Sequence, residues 1–204
     1  MCIRDRLGIL KSPGSMGFDI VVSEGQSMGS SLSFGGPTVG WFATRKELAR
    51  LVPGRIIGES RDSNNTKTYV MTLRAREQDI RREKASSNIC TNQTLNAVGS
   101  TIHLSWLGPE GLYEIGYQAI QKASYMKQAL IENGFTVLNN NTSLREFLIQ
   151  TKRLAEDVIL EMGSKGFLAG IKYSDNEILI AVTEKRTREQ IDNYVESLME
   201  VDNA

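Results

Sequence analysis

The sequence predicts an α/β chain whose second half is a compact α+β unit. Three observations carry this. Short apolar runs bounded by Gly, Pro, Asn and Asp recur as strand signals. Longer stretches repeat apolar residues at helical spacing. The second half sets these elements in the order β-β-α-β-β-α, which suits helices on one side of a largely antiparallel sheet. The chain has 204 residues, 40% apolar and 24% charged, enough for one domain or two small ones. A division near Leu107 is expected, giving parts 1–107 and 108–204. No repeat and no low-complexity tract is found.

The elements follow in order. Phe18 to Val22 (FDIVV), between Gly17 and Ser23-Glu24-Gly25, reads as a buried strand. SEGQSMGSSLSFGGPTVG is loop chemistry. Val39 to Thr44 suits a second strand, and Arg45 to Leu51 a short helix stopped by Pro53-Gly54. Arg55 to Glu59 and Thr68 to Leu73 read as a hairpin around Asp62-Ser63-Asn64-Asn65. Arg74 to Lys84 holds five basic and three acidic residues, a solvated, salt-bridged face by default. Leu95, Val98, Ile102 and Trp106 recur at helical spacing. A second helix opens at Gly108-Pro109 with one stripe of Leu112, Ile115, Ala119, Ala123, Met126 and Leu130, and Gly134 is placed to end it. Strands are expected at Phe135 to Leu138, Glu146 to Gln150, Phe167 to Tyr173 and Ile178 to Thr183. A helix from Lys152 to Met162 turns Leu154, Val158, Ile159 and Met162 inward. Thr187 and Gln190 form a capping box that opens a last helix with Ile191, Tyr194, Val195 and Leu198 on one face.

Composition excludes several functions. Lys plus Arg equals Asp plus Glu at 24 each, so bulk charge does not hold this chain to nucleic acid or an anionic membrane. The run from Arg74 to Lys84 is only weakly basic and lacks a stacking aromatic cluster, so nucleic-acid binding there is disfavoured. No apolar run has the ~20 residues of a membrane helix. Cys2 and Cys90 are too few for a disulfide framework or a cysteine zinc site, and His103 is the single histidine, so no metal site is expected. A reducing, cytoplasmic setting is expected. The opening MCIRDR resembles translated sequencing-adapter text. Residues 1–6 are therefore expected to be non-biological, with the natural start upstream. The Gly- and Ser-rich stretch from Ser23 to Pro37 supplies little core, which also predicts a missing N-terminal support.

Three ordered segments, FDIVVSEGQSMGSSLSFGGPTVGWFATR, LVPGRIIGES and LRAREQDIRREKASSNICTNQTLN, with the tail AVTEKRTREQID, resemble the glycine-cleavage P-protein family. These are pyridoxal-phosphate (PLP)-dependent glycine decarboxylases, and the likeness is greatest to the α-type subunit of the two-chain forms. It runs from about Gly17 to the end and is weakest between Leu138 and Lys165. The resemblance implies the PLP-dependent transferase type I fold. The chain would supply the last part of the large domain and the small C-terminal domain. It also implies glycine decarboxylation with aminomethyl transfer to the lipoyl group of H-protein, by a glycine dehydrogenase assembled as α2β2. The alternative is a scaffold subunit that completes the β subunit's fold without contributing chemistry. A transaminase-like PLP enzyme acting alone is poorly supported, because no suitably placed lysine is found.

In this family a lysine that precedes the Gly-Gly-Pro stretch forms a Schiff base with PLP. Counting back from Gly35-Gly36-Pro37 by the family's spacing lands on Gln26, which has no amine. The resemblance therefore implies no catalytic residue in this chain and a cofactor held by the partner β subunit. Gln26, Ser33, Gly35, Gly36, Arg74, Arg76, Arg82 and Asn88 are the candidates for a shared site or a subunit junction. Each has a plainer reading. Gly29 to Gly40 either cradles a phosphate with backbone amides or makes a tight turn. The arginines either pair with partner carboxylates or lie in water. Asn88, Cys90, Thr91 and Asn92 either cap the next helix or face the site. His103 reads as structural, and Trp41 and Trp106 as core or interface aromatics. The isolated chain is expected to be poorly stable, because its first hundred residues form an incomplete layer.

Overall fold

The computed structural model describes residues 8–88, 92–139 and 144–204. They divide into two units, Lys11–Trp106 and Leu107–Ala204, with residues 8–10 joining the second.

The first unit is built on two antiparallel ribbons. β1 (Ile20–Glu24) pairs with β2 (Gly40–Thr44), Ile20 opposite Thr44 and Glu24 opposite Gly40. β3 (Ile56–Arg61) pairs with β4 (Lys67–Thr72), Ile56 opposite Thr72 and Arg61 opposite Lys67. The second turn forms where Asp62 was expected to place it. The Asp62 carboxylate accepts from the Asn64 and Thr66 amides at 2.8 and 2.9 Å, and Asn65 takes the left-handed conformation at φ 63°. The short helix expected at Arg45 to Leu51 is a 3-10 helix, Lys46–Leu51. Arg74–Lys84 is a chain of short turns, a 3-10 turn at Arg74–Arg76, α1 (Gln78–Arg81) and a 3-10 turn at Arg82–Lys84.

Core is scarce here. Among the described residues of this unit, Met28 and Val39 are the buried apolar side chains. The buried strand expected at Phe18 to Val22 begins at Ile20 instead, and Phe18, Ile20 and Val22 are exposed. The physical reason is that a two-stranded ribbon has no second layer within its own unit to cover it.

One helical track, α2 (Thr94–Glu132), runs from the first unit into the second. It is broken at Gly108 (φ 64°, ψ 179°), and Pro109 opens the second stretch, where its missing N–H costs nothing. Gly134, at φ 87°, closes it, and the Phe135 amide bonds back to the Leu130 carbonyl at 3.0 Å.

The second unit holds an antiparallel sheet of β5 (Thr136–Val137), β6 (Glu146–Gln150), β7 (Ile171–Ser174) and β8 (Glu177–Ala181), in the order β5-β6-β8-β7. α3 (Ala155–Ser164) and α4 (Arg188–Asn203) complete it. Alternation puts Phe147, Ile149, Ile178 and Ile180 on one face. There they pack with Ala123, Met126 and Leu130 of α2, Val158 and Met162 of α3, and Val195 and Leu198 of α4. Each such large side chain stabilises the fold by about 1.5–3 kcal/mol when fully buried. The expected capping box is present: Thr187 Oγ1 accepts from the Gln190 amide, and Gln190 Oε1 accepts from the Thr187 amide, both at 3.1 Å. Leu154, expected inward, is exposed, because α3 starts at Ala155 rather than Lys152 and Leu154 stands at its N-cap. The strands expected at Phe135 to Leu138 and Phe167 to Tyr173 are shorter, at Thr136–Val137 and Ile171–Ser174.

Candidate functional site

The candidates fall into two clusters in the first unit. The first follows β1. Buried Gly25 donates its amide to the Val39 carbonyl at 2.6 Å, which fixes where the chain turns. The Gln26 amide then donates to the Glu24 carboxylate at 2.8 Å, and the Gln26 carbonyl accepts from the Ser30 amide at 3.0 Å. Gln26 is half-buried and held by its backbone at both ends. Gly29 lies against α2, where an added Cβ would stand 2.7 Å from the His103 Cβ. Asn96 of α2 donates to the Pro37 carbonyl at 2.6 Å and ties the Gly-Gly-Pro corner to the same helix.

Between these anchors the loop is strained. Ser33 and Phe34 take φ of 44° and 51°, and Gly35 follows at 84°. A left-handed conformation at a non-glycine residue costs on the order of 1–3 kcal/mol, and such outliers cluster at functional sites. Phe34 is fully exposed. The Ser31 and Ser33 hydroxyls pair at 2.5 Å. The Gly35 and Gly36 amides donate to the Leu32 and Ser33 carbonyls, both at 3.0 Å. Those two amides are thus engaged in the loop's own turns, which favours the tight-turn reading over a phosphate cradle at that corner. An open cavity of about 360 Å³ lies between this loop and α2, lined by Ser30, Ser31, Ser33, Leu95, Asn96 and Val98 among others.

The residues here do not fit a covalent PLP anchor. A carboxamide at Gln26 has no free amine to condense with an aldehyde. Behind the loop, the Ser100 Oγ and His103 Nε2 atoms are buried without a hydrogen-bond partner. His103 packs beneath Gly29 rather than facing a cluster of ligands, and no group of three His, Cys, Asp or Glu fit for a metal is found among the described residues.

The second cluster is the arginine-rich segment. Arg74 donates Nε and Nη2 to the Asp79 carboxylate at 3.0 and 2.7 Å. That contact holds the Asp79 carboxyl below its ordinary range. Arg76 corrects the expectation of a solvated face. Its side chain is 11% exposed, with Nη1 donating to the Arg50 carbonyl at 2.8 Å and Nη2 to the Gly54 carbonyl at 3.1 Å. Its Nε stands 3.6 Å from the buried Glu77 carboxylate, an ion pair too long for a hydrogen bond. Arg76 is therefore a clamp on its own chain's turn before β3. Arg82 is exposed and sits at φ 52°, ψ −122°, and Asn88 is exposed. Asn92 accepts from the Thr94 hydroxyl at the start of α2, while Cys90 and Thr91 lie outside the described residues. Gln26, Ser33, Gly35 and Gly36 thus share one loop, and Arg74, Arg76 and Arg82 share another.

Helical spacing marks one apolar stripe in the sequence but not its exposure. The stripe of Leu95, Val98, Ile102 and Trp106 on α2 is exposed, Trp106 by 84%. Its signal is the absence of any Asp, Glu, Lys or Arg between Lys84 and Glu110, which no solvated helix face of this chain shares.

The family model described as glycine cleavage system P-protein matches residues 5–198. The probable glycine dehydrogenase (decarboxylating) subunit 1 of Carboxydothermus hydrogenoformans is 47% identical over 198 residues, 94% of this chain and 44% of that protein. The solved glycine decarboxylase (P-protein) of the glycine cleavage system, in inhibitor-bound form, superposes with a TM-score of 0.88 at 37% identity, covering 97% of this chain and 46% of that one. An archaeal O-phosphoseryl-tRNA(Sec) selenium transferase superposes at 0.56 with 14% identity, covering 90% of this chain and 38% of that one, a likeness of fold alone. These neighbours bear out the α/β, PLP-dependent transferase type I fold. The chain spans about half the length of the curated relatives it matches. Their names agree with the glycine dehydrogenase subunit reading rather than the scaffold one.

Proposed function

Because the chain belongs to the glycine cleavage system P-protein family, we propose that it works as part of subunit 1 of a PLP-dependent glycine dehydrogenase. The whole enzyme would release the carboxyl carbon of glycine as CO2 and pass the aminomethyl group to the lipoyl arm of H-protein. PLP supplies the electron sink for that chemistry. The observation that carries the reading is the family match from residue 5 to 198. The carboxamide of Gln26, set at the lysine position by spacing alone, supports the cofactor's being anchored elsewhere. On this reading the cofactor is anchored on the partner β subunit, in an α2β2 assembly in the cytoplasm. This chain would contribute the strained Ser33–Gly35 loop and the exposed Arg74 and Arg82 to the junction. The 204 residues alone are inactive.

The test is reconstitution. The full-length subunit carrying this chain, co-expressed with a β subunit, should release CO2 from glycine only when lipoylated H-protein is present. A correctly assembled pair without that release rejects the reading.

A further inference from the structure

The exposed stripe on α2 has a specific shape. Leu95, Val98, Gly99 and Ile102 stand at i, i+3, i+4 and i+7, the four corners of a hole that receives a knob from a facing element. All four line the 360 Å³ cavity, whose far wall is Ser30, Ser31 and Ser33. Gly99 deepens the hole, because a Cβ built there meets nothing within 4 Å. Glycine is disfavoured inside a helix relative to alanine, so local helix propensity does not account for Gly99.

We propose that this notch is the seat of a bulky apolar side chain from the part of the subunit 1 polypeptide that these 204 residues do not cover. Three facts select that occupant. The curated relatives are more than twice as long as the stretch matched, so more than half of the polypeptide lies outside it. The first unit has two buried apolar side chains among its described residues, too few to hold two ribbons and a helix together. The helix around the notch carries no charged residue to set a register with a water-facing partner or to repel an apolar one. The proposal rests on the subunit 1 reading, but its test needs no catalysis.

The experiment joins the uncovered portion of the Carboxydothermus hydrogenoformans relative to this chain as one polypeptide, in the order that the relative has them. Amide exchange is compared with that of the 204-residue chain. Residues 98–106 should exchange at least about tenfold more slowly in the joined chain. Gly99→Leu, which fills the notch, and Val98→Asp, which charges its rim, should each abolish that slowing while the protection of α3 stays unchanged. Equal exchange in the joined and separate chains, with α3 protected in both, overturns the proposal. So does slowing that appears in the 204-residue chain as its concentration rises, which would make the occupant a second copy. So does slowing that survives both variants. Failure of CO2 release with the slowing intact would reject the enzymatic reading and leave the notch assignment standing.

Discussion

Replacing Arg76 with Ala should destabilise the first unit strongly, although the residue lies in a run of charges that reads as surface. Two charge-assisted bonds are lost, to the Arg50 carbonyl at 2.8 Å and the Gly54 carbonyl at 3.1 Å. A third contact, to the Ala49 carbonyl at 3.4 Å, adds little. Hydrogen bonds to a charged group contribute about 1.5–3 kcal/mol each. The substitution also strands the Glu77 carboxylate, 5% exposed, without its counter-charge. Breaking a buried pair from one side costs about 3–5 kcal/mol, a figure that overlaps the lost bonds, so the total expected is about 3–5 kcal/mol. Arg76→Lys should recover less than half, since one ammonium cannot reach both carbonyls in the fork geometry. Adding Glu77→Gln to Arg76→Ala should recover about 1–2 kcal/mol by removing the stranded charge. Urea unfolding followed by tryptophan emission reads the effect through Trp41, which lies half-buried in this unit. If Arg76→Ala stayed within about 0.5 kcal/mol of the wild type, the clamp would be refuted and the surface reading restored.

Three further outcomes are expected. Tyr194→Phe removes the bond from the Tyr194 hydroxyl to the Ala169 carbonyl at 2.5 Å in a buried site. Burial pushes that phenol up, so it stays a donor at ordinary pH. The cost should be about 1–3 kcal/mol in thermal unfolding. Thr187→Ala breaks the capping box of α4 and should cost about 1 kcal/mol, while Thr187→Ser should be nearly silent. The Arg74 guanidinium lowers the Asp79 carboxyl in the folded chain. The contact's contribution is therefore fully present above the unfolded carboxylate range of about 4 and is lost as pH falls through the folded value. An NMR titration should place the Asp79 midpoint below the ordinary range, and Arg74→Gln should return it. A normal midpoint with Arg74 present contradicts the contact.

What the sequence made legible was local. Asp62 fixes the hairpin turn, Gly134 the end of α2, and Thr187 with Gln190 the start of α4, because each acts within a few residues of itself. The sheet of the second unit was legible for a related reason. β6 has the expected bounds, and its alternate residues Phe147 and Ile149 are fully buried. What was not legible depends on neighbours distant in the chain. Periodicity marks Leu95, Val98 and Ile102 as one face but does not say what covers it, and that face is open. Arg76 and Arg74 look alike in sequence. Only folding of the Ala49–Gly54 turn onto Arg76 makes one a clamp and leaves the other on the surface. The left-handed Ser33 and Phe34 could not be foreseen either, because neither residue type favours that conformation. At the candidate site, the position of Gln26 was read through the family's spacing. The backbone bonds that hold it on both sides needed the structure.

The most direct test of the account is to reduce the assembled, PLP-loaded glycine dehydrogenase with borohydride and map the cofactor by peptide mass spectrometry. The account predicts that the fixed PLP lies on the β subunit and that no lysine of these 204 residues carries it. PLP recovered on a peptide of this chain would contradict it.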